Sequence, residues 1–99
     1  MTPLTQGDGS VDRRVVSAVR NIPEGYVTTY GDIARGLGLK SPRQVGAVLA
    51  RGTASMPWHR VLPANGRLVK GLATEQRRLL RSEGIEVHGG RVDLKRYRW

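Results

Sequence analysis

Gly31-Asp32-Ile33-Ala34-Arg35-Gly36-Leu37-Gly38-Leu39-Lys40-Ser41-Pro42-Arg43-Gln44-Val45-Gly46-Ala47-Val48-Leu49-Ala50-Arg51 reads as two short helices joined by a tight turn. Ile33, Ala34 and Leu37 mark the inward face of the first helix, and Gly38 is placed to stop it. Ser41-Pro42 supplies a cap followed by proline at the first helical position, so the second helix starts there and ends near Gly52. Downstream, Asn65-Gly66 between apolar flanks predicts a hairpin pairing Val61-Leu62 with Leu68-Val69. Two close helices followed by a hairpin outline a winged helix-turn-helix. The expected fold is mostly α with a small β-hairpin.

Working outward, residues 1–9 are polar, with two glycines and a proline, and read as a loose arm before a single domain over 10–99. Ser10 is a candidate N-cap. After it Val11, Val15, Ala18, Val19 and Ile22 recur at helical spacing until Pro23 forbids continuation. Tyr26 to Thr29 is a short β-prone piece. Pro57 and Pro63 bracket an extended stretch, and a last helix spans about Thr74 to Glu83, stopped by Gly84. Alternating apolar residues from Ile85 to Leu94 flank Gly89-Gly90 and suggest another small hairpin.

Composition narrows the function. The 99 residues hold seventeen Lys and Arg against eight Asp and Glu, for a net charge of +9. Seven of the basic residues (Arg35, Lys40, Arg43, Arg51, Arg60, Arg67, Lys70) fall between Ile33 and Thr74, a stretch with no acid, while the remainder of the sequence nets only +2. Arg outnumbers Lys fourteen to three, which suits forked contacts to phosphates or base edges. A polyanion is the expected partner. Cysteine is absent, which removes disulfides, zinc-thiolate sites and any thiol nucleophile. His59 and His88 alone match no common metal site, so neither a metal nor a cofactor is expected. No apolar run reaches the ~20 residues of a membrane span and no signal-like stretch opens the sequence, so a cytoplasmic location is expected.

The helix from Pro42 to Arg51 is unusual for a DNA reader. Val45, Val48 and Leu49 form its apolar stripe, leaving Arg43, Gly46, Ala47 and Ala50 on the other face. A major-groove helix carries several long polar side chains. This one offers a single long side chain among small residues. Gly46 in mid-helix costs about 1 kcal/mol against alanine, which either close approach to an external surface or tight packing within the protein would compensate.

Three segments carry a resemblance. Tyr26-Val27-Thr28-Thr29-Tyr30-Gly31-Asp32-Ile33-Ala34, Pro42-Arg43-Gln44-Val45-Gly46 and Pro57-Trp58-His59-Arg60-Val61 resemble the C-terminal DNA-binding domain of the O6-alkylguanine-DNA alkyltransferases, over roughly Val11 to Gly84. The transferases carry Pro-Cys-His-Arg where this sequence carries Pro57-Trp58-His59-Arg60, as in the alkyltransferase-like, non-enzymatic branch. The chemistry agrees, because accepting an alkyl group from guanine O6 needs an ionisable nucleophile and indole nitrogen is only a donor.

The resemblance implies a minor-groove helix presenting Gly46, Ala47 and Ala50, with Thr29, Lys40, Ser41, Pro42, Arg51 and Arg67 also at the DNA. Arg43 resembles the family's finger arginine that enters the base stack, against the plainer role of a phosphate contact. Tyr30 resembles the tyrosine that rotates the nucleotide out, against that of a core tyrosine with a satisfied hydroxyl. Trp58, otherwise a core aromatic, would line a lesion pocket with Tyr30, Met56, Pro57 and His59. Glu83, which with His59 would activate the cysteine in the transferases, has nothing to activate here and is expected to hold His59 or the helix end, with Arg60 in the structural shell. Thr53 stands where the family often has asparagine, in a loop that looks shorter. The implied partners are double-stranded DNA with O6-alkylguanine and, through the bent and flipped complex, nucleotide excision repair proteins. The competing reading is a sequence-specific winged-helix transcription regulator; since no dimerisation element is evident, a monomer is expected.

The charge distribution generates the first test. Binding to undamaged duplex DNA should weaken steeply with salt, and binding isotherms across a salt series measure the slope. Salt-insensitive binding would contradict an electrostatic interface.

Overall fold

The computed structural model describes residues 3–52 and 56–99, with side chains from Ser10 onward. Helix α1 (Pro3–Arg20) is followed by strand β1 (Thr28–Thr29), helices α2 (Tyr30–Leu37) and α3 (Pro42–Arg51), a single 3₁₀ turn (Trp58–Arg60), strand β2 (Val61–Leu62), helix α4 (Ala73–Ser82) and the short α5 (Leu94–Tyr97). Helix α1 begins at Pro3, upstream of the Ser10 cap suggested by the sequence. Proline's fixed φ suits a first helical turn, and no proline lies between it and Pro23 to interrupt the helix.

The helix pair forms as its end signals predict. Thr29 caps α2, its hydroxyl accepting from the Asp32 N–H, and Gly38 closes it in the left-handed conformation. Ser41 caps α3 in a full capping box, in which Gln44 Oε1 accepts from the N–H groups of Ser41 and Lys40.

Two apolar clusters make up the interior. Val15, Val19, Ile22, Ile33, Ala34, Val45, Val48, Leu49, Met56 and Val61 pack where α1, α2 and α3 meet. Val27, Leu62, Leu68, Leu80, Ile85, Val87, Val92 and Tyr97 form the second, around α4 and the C-terminal segment. Successive strand residues point to opposite faces, so Val61 enters the first cluster and Leu62 the second. Strand β2 is therefore the partition between them.

The hairpin expected at Asn65-Gly66 does not form between the predicted strands. Val61-Leu62 pairs instead in parallel with Thr28-Thr29, in the register Thr28–Val61 and Thr29–Leu62. Asn65-Gly66 still turns the chain, with the Gly66 N–H donating to Pro63 O, but it delivers Leu68 to a different partner: Leu68 N–H donates to Gly90 O and Val92 N–H to Gly66 O. The small hairpin lies further on, at His88 to Arg91. Gly89 and Gly90 both have positive φ (59° and 73°), as a two-residue type I′ turn requires. The C-terminal residues complete this half: Tyr97 O accepts from Val27 N–H, and Trp99 N–H donates to Val27 O.

Gly66 is fixed by its surroundings. Its φ is +78°, and a Cβ there would stand 2.6 Å from the Val92 carbonyl oxygen that crosses the turn. Gly66→Ala should therefore cost about 1–3 kcal/mol of stability, from left-handed strain and steric displacement. Thermal unfolding by circular dichroism measures it; an unchanged midpoint would mean that the crossing is looser than described.

Candidate nucleic-acid interface

Helix α3 buries Val45, Val48 and Leu49 against the first cluster and turns Arg43, Ala47 and Ala50 to solvent. Gly46 lies between these faces, and an ideal Cβ built on it meets nothing within 4 Å. Packing inside the protein is thus not what keeps this position a glycine. The open space lies outside, along a surface of small residues.

Beside that surface is a small cavity of about 110 Å³, bounded by Tyr30, Gly46, Ala50, Trp58, Val69 and Leu72, with the buried Leu49. Tyr30 occupies the first position of α2, where the Thr29 cap starts the helix, and packs half-buried against the first cluster. Burial raises its phenol above the usual range. Trp58 opens the 3₁₀ turn and is also half-buried, touching the first cluster while facing the cavity. A larger depression of about 350 Å³ between α1, α2 and Trp99 shares no lining residue with the α3 face.

The other residues expected at the pocket do not border this cavity, although the His59 ring stands edge-on to Trp58 with centroids 6.3 Å apart. Met56 is buried in the first cluster, Pro57 is half-buried just before the turn, and His59 is buried behind it; none of the three lines the cavity. His59 Nε2 lies 2.7 Å from Glu83 Oε2, and the expected His59–Glu83 contact is present. Arg60 completes the cluster, Nε and Nη2 donating to the Glu83 carboxylate and Nη1 to Ile22 O at 2.8 Å. The Gly25 N–H also reaches Glu83. Burial pushes the Glu83 carboxyl up, but the bonds from Arg60, His59 and Gly25 outweigh it and hold it below the usual carboxylate range.

Among the residues expected at DNA, Thr29 is a correction. It is 1% exposed, and its hydroxyl is engaged as the α2 cap, so it supports Tyr30 from beneath rather than reaching outward. Lys40, Pro42, Arg43, Ala47, Ala50 and Arg67 are exposed, with Ser41 and Gly46 half-buried. Arg51 is exposed but forks onto Asp12 of α1 at 2.8 and 2.9 Å. Thr53 lies outside the described residues. Val69 and Leu72, apolar rim residues with Leu72 45% exposed, carried no recognisable signal in the sequence. Neither did Gln76, which is fully buried: its Nε2 donates to His59 O and Val61 O, and its Oε1 accepts from Val69 N–H. It ties the turn carrying Trp58 to the rim carrying Val69.

Residues 10–85 match the family described as 6-O-methylguanine DNA methyltransferase, DNA binding domain. A protein of Escherichia coli K12 named DNA base-flipping protein is 46% identical over 98 residues, covering 93% of this chain and 76% of its own length. Alkyltransferase-like protein 1 of Schizosaccharomyces pombe is 38% identical over 98 residues, covering 87% of this chain and 91% of its own. The chain belongs to the alkyltransferase-like family. Its fold superposes on crystalline S. pombe Atl1, in complex with damaged DNA containing O6-carboxymethylguanine, with a TM-score of 0.85 at 32% identity, over 92% of this chain and 95% of that one. Trp58 opens its turn in a chain without cysteine, and the His59–Glu83 contact forms with no thiol beside it.

The buried cluster predicts an acid response. Glu83 has a lowered folded pKa, so its stabilisation is present at neutral pH and is lost as pH falls from the ordinary carboxylate value of about 4.3 through the lower folded one. Glu83→Gln should flatten this acid limb in urea titrations across pH. Glu83→Ala should cost about 3–5 kcal/mol at pH 7, by leaving the Arg60 charge buried without its partner. Equal acid sensitivity in wild type and Glu83→Gln would remove Glu83 as the origin.

Proposed function

We propose that this alkyltransferase-like chain binds duplex DNA containing O6-alkylguanine, turns the modified nucleotide out of the helix and holds it without removing the alkyl group. The open surface at Gly46 is the observation that carries the reading. A minor groove about 6 Å wide admits a helix only where its side chains are small. Gly46, Ala47 and Ala50 meet that requirement, and the absence of internal packing at Gly46 leaves external contact as the reason for it.

Arg43, exposed at the start of α3, enters the base stack as the nucleotide leaves. Tyr30 crowds the neighbouring phosphate and favours rotation. The flipped base meets Trp58 at the cavity, whose present volume is below the ~300–1,000 Å³ of ordinary ligand pockets. Val69 and Leu72 therefore move aside as the base enters. Extrusion costs a few kcal/mol and less for a poorly paired base, which itself favours damaged sites. The indole of Trp58 gives an apolar and aromatic contact but no nucleophile for alkyl transfer, its nitrogen's electron pair being delocalised in the ring. The names of the E. coli relative and the damaged DNA bound by S. pombe Atl1 support the same reading. The protein acts as a monomer, and the persistent, distorted complex presents the lesion to nucleotide excision repair.

Paired duplexes differing only in one O6-methyl group test the proposal. Wild type should prefer the methylated duplex, 2-aminopurine at the target should report unstacking, and the protein mass should stay unchanged after incubation. Indifference to the methyl group with strong dependence on surrounding sequence would indicate a transcription regulator instead. Gly46→Leu separates folding from binding. It should leave the protein as stable as wild type or up to ~1 kcal/mol more so, since helix propensity improves, yet reduce binding to both duplexes at least tenfold. Undiminished binding by this variant would sink the minor-groove assignment.

A further inference from the structure

Three strand segments lie side by side at the end of the second cluster, and their pairing puts like charges together. Arg91 is the central residue: it pairs antiparallel with Arg67 on one side and with His88 on the other. The flanking hydrogen bonds, Leu68 N–H to Gly90 O and Val92 N–H to Gly66 O, make Arg67–Arg91 a non-hydrogen-bonded pair, the arrangement in which facing side chains stand closest. Leu68, Val87 and Val92 point into the second cluster, so Arg67, Arg91 and His88 share the outer face by alternation, and all three are exposed. Directly opposed like charges destabilise a sheet. Of the acids beside this face, Glu86 lies beyond His88 and is engaged by His88 and Arg96, and Asp93, two residues past Arg91, caps α5 by accepting from the Lys95 N–H. No acid among the described residues forms an ion pair with Arg67 or Arg91.

The row also has a direction. Arg67 and Val69 lie two residues apart around the inward-pointing Leu68, so they share a face, and Val69 forms the rim of the Trp58 cavity. The guanidinium pair therefore continues the α3 surface past the cavity mouth. We infer that Arg67 and Arg91 together form a phosphate-binding wing, gripping the DNA backbone beyond the footprint of α3. The contact is to the sugar-phosphate chain, because two forked cations on a short strand edge match phosphate oxygens. The assignment rests on the proposal that the α3 face meets DNA. It adds Arg91, from the Gly89–Gly90 hairpin, to that interface.

The experiment is a salt series on Arg67→Gln, Arg91→Gln, the double variant and Arg91→Lys, each with an undamaged duplex and with the same duplex carrying one O6-methylguanine. Each Gln variant should lower the slope of log affinity against log salt by about one, and the double variant by about two. Both duplexes should lose affinity by the same factor, Arg91→Lys should retain the wild-type slope, and the double variant should melt no lower than wild type once the facing charges are gone. A wild-type slope in Arg91→Gln overturns the wing. So does a fall in melting temperature that accounts for the lost affinity, which would make Arg91 a folding residue. If wild type itself shows no salt-dependent DNA binding, the reading of the α3 face fails first; if it binds and prefers the lesion while Arg91→Gln is silent, the wing alone fails.

Discussion

The contact between Arg60 and Glu83 is the constraint on which the rest of the structure depends. It joins the 3₁₀ turn to the end of α4, and through Ile22 O and the Gly25 N–H it also fixes the exit from α1. Both side chains are largely withdrawn from water, at 15% and 10% exposure. A buried ion pair is a poor source of net stability because desolvation offsets much of the attraction. What it supplies is geometry, since a carboxylate receiving several donors tolerates few alternative positions. That geometry sets the turn between the two apolar clusters, with His59 held inward and Trp58 left facing the α3 side. A single indole at the cavity is thus positioned by charges on the far side of its own turn.

Gln76 performs the complementary task. Its amide closes three backbone groups from two segments that no secondary structure would otherwise pair, and those segments carry Trp58 and Val69. Replacement by an apolar residue of similar size would leave buried carbonyl oxygens and an N–H without partners, the costly direction of the hydrogen-bond balance. The cavity wall and its rim are therefore coupled through one side chain.

How far the sequence discloses this arrangement follows from the range of each interaction. The α2–α3 pair is legible because its determinants are local: Gly38, Ser41, Pro42 and Gln44 sit at the ends they control, and the apolar stripe of α3 has helical period. The closeness of Tyr30 and Trp58 is legible through the family resemblance and not through spacing, since β1 pairing with β2 brings them to one cavity across the chain. The expected hairpin failed for the same reason. Asn65-Gly66 correctly marks a turn, but a turn signal does not choose between partners: Val61-Leu62 pairs with Thr28-Thr29, and Leu68 bonds to Gly90 instead of back to β2. Gln76 was illegible because a glutamine on a polar helix reads as a solvated residue until the backbone groups it serves are known. Met56 and His59 stay close to Trp58, the His59 ring edge-on to the indole with centroids 6.3 Å apart, but Met56 is buried in the first cluster and His59 is turned inward to Glu83, so neither borders the cavity.

The basic residues divide by the same logic of partners. Within the acid-free stretch, Arg35, Arg51 and Arg60 form ion pairs with Asp32, Asp12 and Glu83, acids contributed from outside it. The first two pairs are exposed and add little to stability, whereas the third organises the interior. Lys40, Arg43, Arg67 and Lys70 make no ion pair among the described residues. They precede, begin or flank the small face of α3 and the cavity rim, so within this stretch the charge that folding leaves uncommitted is the charge nearest the proposed groove. Gly46 fits the same division, for its helix would be more stable with almost any other residue and no neighbour in the protein forbids one. A glycine that weakens its helix and uncommitted cations that repel one another along a single surface oppose folding in the free chain. Both costs are offset when a narrow, negatively charged groove is present, and that is the physical sense in which this surface is incomplete without DNA.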